Sequence, residues 1–369
     1  MTRAARLLLR ALAGCAACAI ALPPGAGAQG PARNVVLVAI DGLRWQEVFN
    51  GADSALLSRR AGGVQDTTGT RKTFWRPDVE ARRRALMPFL WGTVAARGAI
   101  WGNLAQGSDA HVTNGLNFSY PGYNEMLVGV ADAKVDRNDY GPNPNATVFE
   151  WLNSRRTLRR RVAAFGTWST IADIFNRANS GVFVHAGWEP PPGRVKGAPE
   201  RTLDRLYRTT IRYWDDNTFD ALTQAAALDY VKAKKPRVLF VGFGETDEWA
   251  HGRRYDLFLR ATQRADEFVA ELWRTMQAVP EYRDRTTFII TTDHGRGHGA
   301  EWTDHGKDVA GAGQIWIAML GPGTPALGEV TQGSPVTQSQ IAATVATLLG
   351  EDYKRSEPRA APPLVRAPR

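Results

Sequence analysis

The chain has 369 residues, of which 43% are hydrophobic and 22% are charged, enough for one large buried core. The formal net charge of +9 would suit an acidic partner, but most of the excess lies at the two ends of the chain. An arginine cluster at residues 155–161 has no nucleic-acid-binding motif beside it, so a solvated helix face is the simpler interpretation. The composition therefore excludes nucleic acid as the expected partner.

The first 28 residues have the pattern of a signal peptide. Arg3, Arg6 and Arg10 precede an apolar run from Ala11 to Leu22, which is too short to span a membrane. The cleavage sequence Ala26-Gly27-Ala28 follows. We expect residues 1–28 to be removed and the mature protein to be periplasmic or secreted, without a membrane span.

Both cysteines of the chain, Cys15 and Cys18, lie in this leader. The segment that ends at Cys15 also looks like a lipoprotein attachment box. Arg10 leaves too short an apolar run before it, so a lipid anchor at Cys15 is the disfavoured alternative. After cleavage the protein would contain no thiol and no disulfide, which suits an oxidising compartment.

The first predicted strand is the apolar run Val35–Ile40, followed by Asp41 and Gly42. A continuous apolar run is typical of a fully buried parallel strand. A carboxylate at its end is costly to bury unless it is paired or bound to a metal. Asp41 is therefore a candidate metal ligand, and a turn-capping role is the alternative.

The segment from Phe118 to Glu125 predicts a helix start. Pro121 suits the first turn of a helix, which puts Ser119 just before the helix N-terminus. Unpaired backbone N–H groups at such a position favour an anionic phosphate or sulfate. Without its context, Ser119 would be an ordinary N-cap.

Two further strands also end in polar residues. Val238–Phe243 is followed by Asp247 and His251, which share one face of a helical turn at i and i+4. Phe288–Ile290 is followed by the pair Asp293 and His294, with His298 and His305 farther along. Parallel strands present their carboxyl ends at one edge of the sheet, where ligands bind. Carboxylates and imidazoles at that edge indicate a metal site.

The remaining elements alternate between strands and helices, which predicts an α/β fold with a mostly parallel sheet. The stretches 52–84 and 190–216 carry little strand character, and we interpret them as insertions over the active-site edge. Residues 29–353 would form one domain, and the Pro- and Ala-rich basic tail 354–369 is expected to be disordered. The other strands predicted are Val162–Phe165, Val182–Val184 and Ile315–Leu320; the helices are Thr170–Arg177, Leu257–Met276 and Ser339–Leu349.

Taken in this order, the four motifs resemble those of the alkaline phosphatase superfamily, nearest its nucleotide pyrophosphatase/phosphodiesterase-like branch, from about residue 34 to 350. The resemblance implies a three-layer α/β/α sandwich. It also implies two divalent metal ions, usually zinc, with manganese as the alternative. One ion would be bound by Asp41, Asp293, His294 and the Ser119 oxygen, and the other by Asp247, His251 and His305. The family position favours His305 over His298.

In the family, the serine attacks phosphorus and a covalent phospho-serine is then hydrolysed. Relatives place an asparagine against a phosphate oxygen. The candidate is Asn138, with Asn143 and Asn145 behind it. Glu245 and Glu248 are candidates for orienting His251, and solvated surface charges are the alternative for both. His111 and His185 show no partner pattern.

These features predict an exported hydrolase of small phosphate esters. Diesters are favoured over monoesters because aromatic residues flank Ser119 and no basic residue lies between Gly107 and Val130. Arg194, Lys196 or Arg296 could still reach the pocket. Tyr123 stands where formylglycine sulfatases require an arginine, yet hydrolysis of sulfate or phosphonate esters remains an alternative. A non-catalytic protein that binds metal and a phosphorylated ligand is the alternative of another class.

Overall fold

A computed structural model describes residues 32–193 and 199–365 of the chain. It contains a large sheet, a two-stranded sheet and helices on both faces of the large sheet. The strands are β1 (Asn34–Ile40), β2 (Ala99–Trp101), β3 (Ala110–His111), β4 (Val162–Gly166), β5 (Phe183–Ala186), β6 (Val238–Phe243), β7 (Thr286–Thr291), β8 (Ile317–Leu320), β9 (Gly328–Glu329) and β10 (Val336–Thr337).

The α-helices of these residues are mostly short, and α13 is the longest. They are α1 (Trp45–Asn50), α2 (Arg59–Gly62), α3 (Thr67–Phe74), α4 (Val79–Leu86), α5 (Ala95–Arg97), α6 (Ser119–Val128), α7 (Val148–Ser154), α8 (Ile171–Ile174), α9 (Arg177–Ser180), α10 (Thr202–Thr209), α11 (Asp220–Lys234), α12 (Glu245–His251), α13 (Tyr255–Gln277) and α14 (Gln340–Leu348). A π-helical turn spans Leu90–Val94, and 3₁₀ turns span Leu104–Gln106, Gly299–Thr303 and Tyr353–Arg355.

The large sheet has eight strands in the order β5-β4-β6-β1-β7-β8-β2-β9. Strands β5, β4, β6, β1 and β7 are parallel to one another, whereas β8 runs antiparallel to both β7 and β2. The predicted mostly parallel sheet is confirmed. Strand β1 lies between β6 and β7, so the carboxyl ends of these three strands meet at the middle of one sheet edge.

Successive residues of β1 point into two different apolar cores because side chains alternate across a strand. Val36, Val38 and Ile40 pack with residues of α1, α4, α11 and α13. Val35, Leu37 and Ala39 pack with residues of α6, α7 and α14 on the opposite face. Burial on both faces explains the continuous apolar sequence of this strand, and it confirms the three-layer α/β/α sandwich.

Most of the predicted elements are present with shifted ends, but the helix predicted over Thr170–Arg177 is wrong as a single element. The chain forms α8 and α9 instead, separated by Phe175 and Asn176. Asn176 has a φ of 43°, in the left-handed region that asparagine tolerates better than most residues. The arginine cluster at 155–161 begins after α7 has ended, so it does not form a helix face.

The two predicted insertions contain helices and no strand among their described residues. Residues 52–84 contribute α2, α3 and α4, and side chains such as Leu56 and Phe74 join the core beside α13. The second stretch contains α10 and leads into Asn217, which is buried. Of the loop cations considered for the pocket, Arg194 and Lys196 lie outside the described residues.

The prediction of a disordered tail is wrong for residues 354–365. Ala360 and Val365 are buried in the core beside α6 and α14. The backbone N–H of Ala361 donates to Gly129 O at 2.9 Å, and that of Leu364 donates to Thr344 Oγ1 at 2.9 Å. A few apolar side chains in a Pro-rich segment are enough to cover the helix ends, although its overall composition suggests disorder.

None of the helices within residues 32–193 and 199–365 is long and apolar enough to cross a bilayer. The predicted signal peptide, with Cys15 and Cys18, lies outside the described residues.

Candidate active site

Three neighbouring strands bring the predicted ligands together at the middle of the sheet edge. Asp41 follows β1, and Asp293 and His294 follow β7. Strand β6 leads through Gly244 into α12, which carries Asp247 and His251. His305 reaches the same place from the loop after the 3₁₀ turn Gly299–Thr303. Residues distant in sequence thus meet because their strands are adjacent.

Asp41, Asp293 and His294 form what we call the inner group, in which each residue is at most 5% exposed. His294 Nε2 lies 3.3 Å from Asp41 Oδ1 and 3.6 Å from Asp293 Oδ2. Those two carboxylate oxygens are buried and have no hydrogen-bond partner among the described residues. Buried charged oxygens without donors are costly, and a metal ion would satisfy both. The inner group therefore fits a cation.

The ring of His294 is oriented by the backbone. Its Nδ1 lies 2.8 Å from Gly295 O, which can only accept a hydrogen bond. The proton is therefore on Nδ1, and the lone pair of Nε2 points toward Asp41, Asp293 and the Ser119 hydroxyl. This backbone contact to the other ring nitrogen is typical of metal-binding histidines.

Asp247, His251 and His305 form what we call the outer group. His251 Nε2 lies 3.2 Å from Asp247 Oδ2 and 3.0 Å from His305 Nε2. The ligand atoms of the three residues lie within 4.8 Å of one another. The side chain of His251 is 46% exposed. Two imidazoles and one carboxylate make a zinc-type ligand set with an open side.

Asp247 also connects the two groups, which the sequence did not indicate. Its Oδ1 lies 3.7 Å from His294 Nε2 and 3.8 Å from His305 Nε2. Asp41, Asp247 and His294 consequently form a second compact set of possible ligands. One carboxylate between two sets of ligands is suited to hold neighbouring cations.

Arg296 is a buried residue of this site whose position sequence reasoning left open. Its guanidinium donates to the carboxylate of Asp247, and its side chain is fully buried. The positive charge partly compensates the three carboxylates. The only sequence clue was its place two residues after His294, which brings any long side chain close to the strand end.

The three carboxylates lie close together in a buried site, and their pKa values are shifted as a result. Burial, and then the charges of Asp293 and Asp247, raise the pKa of Asp41 well above its usual value. Burial is also the main cause that raises the pKa of Asp293 to about 7. Burial opposes ionisation of Asp247 too, but the charge of Arg296 and a hydrogen bond with His251 outweigh it and hold its pKa well below normal. A divalent cation would relieve this repulsion.

Ser119 is the first residue of α6 rather than the residue before it. It is 6% exposed, and its Oγ lies 3.4 Å from His294 Nε2. Helix α6 approaches the strand end closely, since a Cβ placed on Gly122 would lie only 2.4 Å from Asp293 O. The predicted nucleophile therefore lies directly against the inner group.

Asn138 lines the same pocket as Ser119. Its Oδ1 accepts a hydrogen bond from Tyr120 N at 3.0 Å, which leaves its Nδ2 as a donor. Asn143 and Asn145 do not line this pocket. They bond instead to Ile174 O and to Asn124 and Asp132. Of the three asparagines, Asn138 is the one that lines the pocket with Ser119.

The other histidines lie away from the ligands. His298 Nδ1 contacts the Gln46 amide at 2.7 Å, and His111 pairs with Asp109. His185 packs between Phe165 and Tyr207, and burial lowers its pKa. None of these three histidines therefore joins the inner or the outer group.

The expected role of the two glutamates is not what the structure shows. Glu245 accepts from Asp220 N and Trp249 Nε1, and Glu248 accepts from Asn217 Nδ2. Neither forms a hydrogen bond with His251 in the described part of the chain. Burial, followed by the charges of Asp247 and Asp216, raises the pKa of Glu248 to about 7.

The pocket at this site has a volume of about 250 Å³. Asp41, Ser119, Asn138, Asp247, Glu248 and His251 are among its lining residues. The others are Trp168, Asp216, Asn217 and Gly244, which the sequence did not single out. None of the lining residues comes from 52–84, so the first predicted insertion does not shape this pocket.

Comparison with known proteins agrees with this geometry. The sequence profile of the type I phosphodiesterase / nucleotide pyrophosphatase family matches residues 65–310. The chain belongs to this family. As a member of the type I phosphodiesterase / nucleotide pyrophosphatase family it is an alkaline phosphatase superfamily hydrolase. No curated protein sequence matches it significantly.

Solved structures share the fold of this type I phosphodiesterase family member at low sequence identity. The lipoteichoic acid synthase LtaP of Listeria monocytogenes is 11% identical with a TM-score of 0.55, covering 88% of this chain and 73% of its own. The alkaline phosphatase PafA is 10% identical with a TM-score of 0.52, covering 87% and 96%. The phosphonate monoester hydrolase of Silicibacter pomeroyi is 12% identical with a TM-score of 0.50, covering 86% and 73%.

Proposed function

We propose that this protein hydrolyses small phosphate esters, with diesters preferred, through a covalent intermediate on Ser119. The observation that carries the proposal is the 3.4 Å approach of Ser119 Oγ to His294 Nε2. The same His294 nitrogen lies near the carboxylate oxygens Asp41 Oδ1 and Asp293 Oδ2, which have no donors among the described residues. The predicted leader 1–28 would place this activity outside the cytoplasm.

The inner and outer groups would hold two divalent ions, zinc in the first instance. Asp41, Asp293 and His294, with the Ser119 oxygen, would hold one ion. Asp247, His251 and His305 would hold the other. Bound ions would lower the pKa of the serine hydroxyl and neutralise charge on the phosphoryl group and the leaving oxygen.

The side chains of the chain supply the positioning. Ser119 Oγ forms a bond to phosphorus as the bond to the departing alcohol breaks, and water then breaks the Oγ–P bond. Asn138 Nδ2, whose amide oxygen accepts from Tyr120 N, would donate to a phosphate oxygen. Tyr123 donates from its hydroxyl to Asp41 Oδ2 at 3.2 Å and fixes that carboxylate.

The preference for diesters follows from the charges around the pocket. Its lining residues in the described ranges include no lysine or arginine. Arg296 is fully buried and already pairs with Asp247. A monoester carries one more negative charge than a diester and gains most from an additional cation. Few cations in the wall therefore favour the diester.

The test is the Ser119→Ala variant assayed on bis(p-nitrophenyl) phosphate, p-nitrophenyl phosphate and p-nitrophenyl sulfate. We expect kcat/KM on the diester to fall by about 10³-fold or more, since Ser119 carries the only hydroxyl group among the described residues that line the pocket. Ser154→Ala, at an exposed serine in α7, is the matched control and should retain wild-type turnover. Near wild-type diester hydrolysis by Ser119→Ala would refute the covalent mechanism. A strong preference for the sulfate or the monoester would refute the substrate assignment.

A further inference from the structure

One part of the active-site pocket, which is also lined by Ser119, belongs to neither ligand group, and we call it the outer wall. It is formed by Trp168, Asp216, Asn217 and Glu248. Two of these four side chains are acidic and none is basic. A phosphate ester bound at Ser119 would extend toward this wall, so the chemistry of the wall bears on which ester group the pocket accepts.

Asn217 provides a free hydrogen-bond acceptor in this wall. It is 6% exposed, and its Nδ2 donates to Glu248 Oε1 at 2.7 Å, which fixes the orientation of the amide. Its Oδ1 is buried and has no partner in the described part of the chain. This oxygen lies 2.6 Å from the Cβ position that a side chain would take at Gly244, another lining residue. A buried carbonyl oxygen without a donor is unfavourable until a ligand supplies one.

Asp216 and Trp168 complete the wall. The indole Nε1 of Trp168 donates to Asp216 Oδ2 at 2.9 Å. Apart from the Asn217 amide, this indole is the N–H donor among the four wall side chains, and its hydrogen bond is therefore not available to a ligand. Most of the remaining hydrogen-bonding capacity of the wall is acceptor capacity, since Asn217 Oδ1 and the carboxylate oxygens outnumber the one further N–H of the Asn217 amide. A ligand group that fits it must donate hydrogen bonds, and two carboxylates favour a positive charge on that group.

An aromatic cluster lies next in sequence to the wall residues Asp216 and Glu248. Trp214 and Trp249 contact each other with ring centroids 4.7 Å apart, and Tyr213 lies 5.5 Å from Trp249. Tyr213 is 67% exposed. Electron-rich ring faces near carboxylates attract organic cations. Arg212 stacks on Trp188 and is not among the lining residues of the pocket.

We propose that the pocket selects phosphate diesters in which one ester group carries a protonated amine, recognised by Asp216, Glu248 and the Asn217 carbonyl oxygen. The phosphoryl group would lie against Ser119 and the ammonium group against the outer wall. This inference rests on the proposed function and adds the class of substrate to it.

The experiment compares three diesters of p-nitrophenol whose second ester group is 2-aminoethyl, 2-hydroxyethyl or propyl. Consumption of each is followed by chromatography on one wild-type preparation. We expect kcat/KM for the aminoethyl ester to exceed that for the propyl ester by about tenfold or more, as charged hydrogen bonds allow. Equal rates for all three esters, or preference for propyl, would overturn the inference. If the aminoethyl and hydroxyethyl esters react at equal rates, both faster than the propyl ester, the wall recognises a hydrogen-bond donor whatever its charge. That result would contradict the proposed ammonium site.

Asp216→Asn and Glu248→Gln should each lower the aminoethyl-to-propyl ratio several-fold. Asp215→Asn, at the exposed neighbouring acid, is the matched control and should preserve the ratio. Because the ratio is measured within one preparation, partial unfolding of a variant does not affect it. Turnover of all three esters by Ser119→Ala, or of none by the wild type, would refute the proposed function itself. An unchanged ratio in both acid variants would refute only the ammonium site.

Discussion

The inner and outer groups hold similar ligand types in very different surroundings. Asp293 and His294 are fully buried, and backbone groups fix both, with Gly42 N donating to Asp293 Oδ1 at 3.0 Å. In the outer group His251 is partly exposed, and His305 Nδ1 has no partner among the described residues. Ligands preset by backbone contacts lose little freedom on binding. We therefore expect an inner ion that exchanges slowly and an outer ion that exchanges readily.

The difference arises from the elements that carry the ligands. Asp41 and Asp293 leave β1 and β7, which are paired from Asn34 with Thr286 to Ala39 with Thr291. His251 is the last residue of α12, and His305 lies in a loop after a 3₁₀ turn. Helix ends and loops open more easily than central strands. The rigidity of each group thus follows from its place in the sheet.

The largest expected effect separates the groups directly. His294→Ala should lower kcat/KM for the diester by about 10³-fold or more, because it removes a fixed ligand that also contacts Ser119. Added zinc should not restore the rate. The measurement is diester hydrolysis across a zinc titration.

His251→Ala is the matched variant in the outer group. Its rate should fall by about 10- to 100-fold at low zinc and recover as zinc is raised, because Asp247 and His305 remain. If added zinc restored diester hydrolysis by His294→Ala and did not restore it in His251→Ala, the outer group would be the more rigid one, contrary to our expectation.

A smaller effect is expected from the contact between α6 and the inner group. In Gly122→Ala the new Cβ would lie 2.4 Å from Asp293 O, so α6 and Ser119 must move. A shift of about 1 Å at a reacting group can lower kcat by roughly 10²-fold, and overpacking costs about 1–3 kcal/mol in the free energy of unfolding.

Gly92→Ala is the control for this substitution, because a Cβ there meets no atom within 4 Å. Diester kinetics and urea unfolding of the two variants give the comparison. Wild-type kinetics in Gly122→Ala would show that the close approach does not position the nucleophile.

The sequence predicted those residues of the site that come shortly after the carboxyl ends of strands. The apolar runs before Asp41, Asp247 and Asp293 locate buried strands, and parallel strands must end at one edge. Contacts between side chains far apart in sequence were not predictable in this way. The path of the loops across the sheet edge determines the pairing of Arg296 with Asp247. It also determines the position of the Asn217 carbonyl oxygen, which has no partner among the described residues. No periodicity encodes that crossing.

The smallest effect concerns the pH dependence of metal binding by the inner group. Burial raises the pKa of Asp293 to about 7 in the metal-free protein, and a metal binds the ionised carboxylate. Below that pH the ion must displace a proton, so affinity should fall by up to about tenfold per pH unit as the pH decreases from 7.

Zinc competition titrations at pH 6, 7 and 8 measure this dependence, with Asp293→Asn as the control. The asparagine has no proton to release, so its weaker affinity should vary less with pH. If zinc affinity changed equally with pH in the wild type and in Asp293→Asn, a group other than Asp293 would cause the pH dependence.

The account rests most directly on the requirement for ions at the inner and outer groups. The deciding measurement is diester turnover by the chelator-stripped protein as zinc is returned stepwise, with bound metal quantified at each step. We expect no turnover without metal, little with one equivalent bound, and full activity as the second is bound. Full activity in protein shown to contain no metal would contradict the account.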